Sequence, residues 1–488
     1  MLSFVQNIYN SKYKALPLPV RAVFWFTVCN FILKGLGFFS APIFTRLIPE
    51  DEYGQLTIMY SYESLILTFS TWDIHTGAYA RGYFKYINDI NFFTNSTVVL
   101  INILTLIVFV LLFSFHNLIS KYSGISFDNL ILLFVYSISF PAYHMWLVRK
   151  RSEFAYKSVV LVTFSYASIG ILIGILAVYF ISPTSEVRYA AGLICSLAFC
   201  IWFYFSSISP KSLFIKLSEV KCQWRYCLRY QGPLLLHSLS FLILSQADRV
   251  MIGEMIGKPQ AAFYSVAYNL AMAIMIFQTS MEQSLQPWRL IKMEEKSYGK
   301  IGSSTNLLLV VIGSIILLFV LISPELMKLL FTSDYYEAVW SIPPVAASVF
   351  FICLYNIFVN IETYFEKTIY VMLISIFCGI VNIILNYICI NMFGYISCGY
   401  TTLISYVLFG ILHYIVMKRI CAKELPNVSI FCGNKIFVIS TLFVVLCISV
   451  VLLYNYYYIR YGIMILILSV IFYKRNQLTP IISILRKK

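Results

Sequence analysis

The sequence predicts an all-α polytopic membrane protein with 14 transmembrane helices, arranged as two six-helix lobes plus a C-terminal helix pair. Three observations carry that expectation: the composition, a series of apolar runs of spanning length, and the placement of Lys and Arg between them. The chain has 488 residues, of which 60% are hydrophobic and only 12% charged. Its mean hydropathy is +0.82. Soluble chains carry about 25% charged residues, and a folded surface has to present polar groups to water. An ordinary cytosolic enzyme, a secreted disulfide scaffold and a disordered chain are therefore excluded. The 37 Tyr and 40 Phe are spread evenly instead of alternating, which excludes a lipid-facing β-barrel.

The apolar runs follow from one length rule. A spanning helix needs ~20 mostly apolar residues. Stretches of this kind cover 20–45, 54–80, 94–114, 128–148, 158–181, 189–208, 231–253, 260–287, 303–322, 338–361, 368–391, 395–417, 436–457 and 459–473. Residues 1–19 are polar, with no cleavage site after an apolar core, so the first run is expected to be a spanning helix and not a removed signal.

The basic residues then orient the helices. With the N-terminus inside and the loops alternating, 28 of the 36 Lys and Arg fall on the inside. Six fall outside (Arg46, Lys121, Arg188, Lys258, Lys328 and Arg460), and Lys34 and Arg249 lie within the membrane. This is a strong positive-inside asymmetry, and one missed helix would reverse every later loop. Both termini are expected in the cytoplasm. The longest inside loop, 209–230, carries Lys211, Lys216, Lys221, Arg225 and Arg229. It divides the chain into an N-lobe (1–208), a basic cytoplasmic linker (209–230), a C-lobe (231–418), and a terminal helix pair with a basic tail (419–488). Equal halves suggest a transporter built from repeats.

The net charge of +15 is accounted for by these basic inner loops and their anionic lipid neighbours. No basic run interleaves with a nucleic-acid reader motif, so no nucleic-acid partner is expected. There is no P-loop and no dinucleotide fingerprint. The 12 Cys form no C-x-x-C pair and the five His are scattered, so no metal site or cofactor is expected.

What remains is charge inside apolar helices. Each such residue costs at least ~2.5–3.5 kcal/mol at the bilayer centre, so it should face a wet cavity or a partner. Lys34, Glu63, Asp73, Asp248, Arg249 and Glu282 are of this kind. At about 100° per residue, Thr27, Asn30, Lys34, Gly37, Ala41 and Thr45 fall within about 80° of one another. That stripe is either a cavity face or a small-residue packing seam. Glu63, Ser70, Asp73 and Gly77 form a similar stripe in the second run; its acids would pair with Lys34, bind a cation or carry a proton. Asp248 and Arg249 sit near the outer boundary of the seventh run, as cavity residues or as an interfacial ion pair. Asn269 adds a polar position in the eighth. Cations in both halves suit an anionic substrate, because Arg and Lys pair well with phosphate.

Three segments carry a family resemblance. The first holds Gly35-Leu36-Gly37, Pro42, Thr45-Arg46-Leu47 and Tyr53-Gly54. The second holds Asp248-Arg249-Val250-Met251-Ile252-Gly253 and Phe263-Tyr264-Ser265-Val266-Ala267-Tyr268. The third holds Asn382-Ile383-Ile384-Leu385-Asn386, Phe393-Gly394-Tyr395 and Gly399-Tyr400-Thr401-Thr402. Together they resemble the bacterial polysaccharide exporters of the O-antigen flippase (Wzx) type, in the superfamily that also holds the MATE exporters and the lipid II flippase. The resemblance implies a V-shaped pair of lobes around a cationic cavity in the bacterial inner membrane. It implies translocation of undecaprenyl-diphosphate-linked oligosaccharide to the periplasmic leaflet by alternating access, coupled to an H+ or Na+ gradient. Lys34 and Arg249 are the positions that fit a diphosphate. Glu63, Asp73, Asp248 and Asn30 fit ion coupling or the polar cavity wall, and Arg46, Glu282 and Asn269 complete the candidates. Membrane lipid, a polysaccharide polymerase and a chain-length regulator are the candidate partners. A MATE-type drug exporter would prefer an acidic, aromatic cavity. A membrane polymerase or ligase would need a sizeable outside loop bearing catalytic groups, and the outside loops here are short.

Overall fold

The computed structural model describes residues 18–207, 217–426 and 428–473, apart from the side chains of residues 18–20, 23, 34, 283 and 284. The described residues are helical, with no strand among them. In chain order the helices are α1 (Leu18–Leu47), α2 (Glu50–Thr71), α3 (Gly77–Lys85), α4 (Ile90–Ser114), α5 (His116–Ser123), α6 (Phe127–Ser152), α7 (Tyr156–Phe180) and α8 (Ser185–Ser207). They continue as α9 (Leu217–Met255), α10 (Lys258–Met272), α11 (Met275–Glu294), α12 (Tyr298–Leu330), α13 (Ile342–Tyr364), α14 (Thr368–Phe393), α15 (Ser397–Glu424), α16 (Gly433–Ser449) and α17 (Tyr457–Tyr473). Among the described residues, 12 helical stretches are long and apolar enough to cross a membrane. Large apolar side chains such as Leu161, Phe180, Phe205 and Leu452 stay more than two-thirds exposed, as lipid-facing positions do.

The chain forms two compact units, 1–239 and 240–488. In the first, α6 packs on α8, α7 on α1 and α8, and α4 on α2 and α6. Ile74, Tyr79, Phe93, Ile101, Met145 and Cys227 form a buried apolar cluster there. In the second, α13 is the central helix. Its residues from Ile342 to Tyr355 are all buried, because its sequence is apolar on every face. The helices α10, α12 and α15 pack against α13, while α16 and α17 pack on α12.

Three expected boundaries change. The second run, 54–80, is not one helix: α2 stops at Thr71, and Trp72 and Asp73 take left-handed φ angles of 52° and 50° before α3 begins. A non-glycine pair in that region ends a helix outright. The eighth run, 260–287, is interrupted between Met272 and Met275. The basic linker 209–230 is helical from Leu217, so Lys221, Arg225 and Arg229 ride on α9. Lys211 and Lys216 lie outside the described residues.

Candidate functional site

In the first unit, α1, α2, α7 and α8 enclose a cavity of about 280 Å3. Leu33, Leu36, Gly37 and Ser40 come from α1, Tyr60 and Glu63 from α2, Tyr166 from α7, and Arg188, Tyr189 and Ser196 from α8. Of the α1 stripe that carries Lys34, only Gly37 lines the cavity, and the Lys34 side chain lies outside the described residues. Asn30 is half-buried one turn before it, and Arg46 is exposed at the far end.

The cavity holds unusual polar atoms. Nε and Nη1 of Arg188 are buried there without a hydrogen-bond partner, in a wall that also carries Glu63 and Tyr189. Buried polar groups are nearly always paired, and an unpaired one costs about 1–3 kcal/mol. The guanidinium rests 4.2 Å from the Phe44 ring centre. It is seated by two glycines: a Cβ at Gly174 would lie 2.8 Å from Arg188 Cζ, and one at Gly192 would lie 3.1 Å from Nη1. The sequence reading placed Arg188 in an outside loop. It stands instead in the first turn of α8, with its side chain turned into the unit.

Asp73 does not share a helical face with Glu63, because the break at Trp72–Asp73 puts it in the turn before α3. That turn also brings His75 within 5.2 Å of His144, ring to ring, a pair the scattered histidines did not suggest.

Among the described residues of the second unit, the buried charges stand in hydrogen-bonded networks. Asp248 is fully buried and accepts from the Tyr264 hydroxyl at 2.6 Å, Thr402 at 2.8 Å and Asn386 Nδ2 at 2.6 Å. Asn386 also reaches Asn382 at 3.3 Å and is hydrogen-bonded by Thr401. Arg249 turns elsewhere. Its Nη1 donates to the Ser245 carbonyl and to Gln246, each at 2.7 Å, and its guanidinium lies over Tyr268. The two neighbours therefore do not pair with each other.

On α11, Arg289 donates to Glu282, which also accepts from Asn360 at 2.6 Å; Gln286 donates to the same Asn360 at 3.0 Å. Arg289 was counted among the inside loop charges and proves buried. Glu362 and His413, both fully buried, meet through Nδ1 at 3.0 and 3.1 Å. Arg460 clamps α17 to α12 through both oxygens of Glu325, at 2.8 and 2.6 Å. Asn269 is exposed on α10 and joins none of these groups. No group of three His, Cys, Asp or Glu placed to hold a metal ion occurs among the described residues.

A family model described as polysaccharide biosynthesis protein matches residues 20–290. A comparison with curated proteins gives no match. Among solved structures, an inward-facing multidrug resistance MATE family transporter of the MOP superfamily is similar at a TM-score of 0.63 and 12% identity, over 82% of this chain and 96% of that one. The lipid II flippase MurJ in an inward closed conformation is similar at a TM-score of 0.62 and 14% identity, over 93% and 99%. A MATE transporter from Vibrio cholerae follows at 0.55 and 10%, over 83% and 98%. At such identities the likeness is one of fold. The family match covers more than half of the sequence, and the chain belongs to the polysaccharide biosynthesis protein family, as a multi-pass membrane protein with the fold of the MATE and MOP transporters.

Proposed function

We propose that the chain is a flippase that carries undecaprenyl-diphosphate-linked oligosaccharide from the cytoplasmic to the periplasmic leaflet of the bacterial inner membrane. It is a transporter, not an enzyme, and works by alternating access drawn from an H+ or Na+ gradient. Beside the family match, the observation that carries this reading is the unpartnered Arg188 guanidinium in the first unit's cavity. A phosphate oxygen is the acceptor such a donor needs, and a charge-assisted bond of this kind contributes about 1.5–3 kcal/mol. Lys34 and Arg249 are proposed as further diphosphate contacts. Glu63 and Asp248 are proposed as the carboxylates that couple transport to the ion, with Asp73, Asn30, Arg46 and Glu282 in supporting roles. In this reading α2 and α17 also span, which brings the 12 apolar stretches to 14. They fall into two six-helix lobes and a terminal pair, with both termini cytoplasmic and polymerase and chain-length regulator as neighbours.

A second reading has one observation in its favour. Tyr60, Tyr166, Tyr189 and Glu63 would suit a cationic drug, as in a MATE exporter, but Arg188 in the same wall opposes a cation. The two readings separate in a flippase-deficient strain. Expression of the chain should restore surface polysaccharide and clear the lipid-linked oligosaccharide that accumulates inside. Drug resistance without restored polysaccharide would reject the flippase reading.

A further inference from the structure

The first unit holds another cavity, of about 410 Å3, among α3, α4, α6 and α8. Its volume is in the range of small-molecule pockets, ~300–1,000 Å3, but its chemistry differs from that of the Arg188 cavity. Arg149 Nη1 donates to Asn91 Oδ1 at 2.9 Å, and its Nε donates to Glu153 at 3.0 Å. Lys150 donates to the same Glu153 at 2.6 Å. Two cations therefore share one carboxylate, which offsets part of their charge.

The remaining lining groups are neutral and of mixed polarity. Thr94 spends its hydroxyl hydrogen on the Ile90 carbonyl at 2.7 Å, so at the 2.7 Å contact between Tyr79 and Thr94 the tyrosine is the donor. Its phenol oxygen keeps acceptor capacity for the cavity. Ser206 donates to the Phe203 carbonyl and likewise keeps an acceptor. Trp146, half-buried in the wall, packs against Phe203 at 4.7 Å. An amide, a planar guanidinium, hydroxyl acceptors and an indole face in one cavity match a ligand whose hydroxyls both donate and accept and whose ring has an apolar face. A sugar is such a ligand.

We propose that this cavity is a glycan-recognition site that reads the sugar portion of the lipid-linked substrate, apart from the Arg188 cavity that meets the phosphates. The proposal rests on the flippase reading. The Arg149-Lys150-Arg151 run beside it puts the cavity on the face expected in the cytoplasm, where that substrate begins.

The test uses the full chain in a flippase-deficient strain offered two substrates, the complete lipid-linked repeat unit and the same carrier bearing one sugar. Ser206→Trp fills the cavity from an exposed position, and Asn91→Ala removes its amide, also exposed. The wild type should export the complete unit in preference. Both variants, accumulating at wild-type levels, should lose roughly three- to tenfold of that preference, the worth of one or two hydrogen bonds. An unchanged preference in both would overturn the proposal. A second measurement does not depend on transport. Free repeat-unit oligosaccharide titrated into the purified protein should quench tryptophan fluorescence in the wild type and lose that component in Trp146→Phe. Identical titrations would overturn the glycan site, whereas a Trp146-dependent quench in a chain that exports neither carrier would support the site and reject the flippase reading.

Discussion

The two units differ in how they hold their buried arginines and acids. In the second, Asp248, Glu282, Arg289, Glu362 and Arg460 each have named hydrogen-bond partners, although Glu282 Oε2, Arg289 Nε and Arg460 Nε are buried without one. In the first, Nε and Nη1 of Arg188 are buried against a cavity, and no hydrogen bond holds them. A buried ion pair that loses one member leaves an uncompensated charge, at a cost of about 3–5 kcal/mol. A buried donor left without an acceptor costs stability instead of adding to it. On the proposed function, Arg289 and Arg460 serve packing in the second unit, while Arg188 in the first is kept for ligand capture.

The largest expected effect breaks that contrast from the second unit. Arg289→Met should destabilise the protein by about 3–5 kcal/mol, because Glu282 loses its buried cationic partner. Thermal unfolding in detergent would read it. Adding Glu282→Met should recover most of the loss, since an apolar pair of similar volume removes the stranded charge. Failure of the double variant to recover would mean that Asn360 and Gln286, not the ion pair, hold this part of α11.

The second effect sharpens the contrast from the first unit. Arg188→Met should leave the unfolding temperature unchanged or slightly raised, because two unpaired buried donors disappear. Export should nonetheless fall roughly ten- to a hundredfold, the worth of one charge-assisted contact. A large loss of stability would make Arg188 a structural residue and remove it from the binding site.

Much of this was legible in the sequence, and the rest fails for identifiable reasons. Hydropathy located nearly every helix, because lipid is an indifferent solvent for apolar faces. It missed the break at Trp72–Asp73, where two left-handed residues interrupt a run that stays moderately apolar. The second and third resemblance segments meet physically, since Asp248, Tyr264, Asn386, Thr401 and Thr402 form one network. Their separation along the chain hid it. Arg188 and Arg289 were read as orienting charges because each lies near a helix end. A long cationic side chain there can turn to water or inward, and periodicity alone does not distinguish the two. His413 looked like a lone histidine until α15 placed it against Glu362.

The third effect concerns energy coupling. Glu63→Gln keeps size and shape while removing the charge beside Arg188. Its stability should change by less than about 1 kcal/mol, while export loses its dependence on external pH or sodium. Export that keeps the wild-type dependence would move the coupling role to Asp248, whose Asn variant should then abolish it.

The smallest effect tests whether the contrast is one of burial or merely of charge. Glu153 follows the last residue of α6 and binds Lys150 at 2.6 Å and Arg149 at 3.0 Å, but its side chain is 33% exposed. Burial pushes its carboxyl up, yet the two cations outweigh that and hold it below the usual glutamate range. A carboxyl lowered on folding stabilises fully above its unfolded value, near 4.3, and that contribution disappears as pH falls through the lower folded value. Solvent screening limits it to under about 1 kcal/mol. Glu153→Gln should therefore be slightly less stable than wild type at pH 7, the gap narrowing with added salt and closing once the wild-type carboxyl is protonated. A loss at pH 7 comparable to that of Arg289→Met would mean that close pairing, and not removal from water, sets the cost of breaking these contacts, and the distinction between the two units would lose its physical basis.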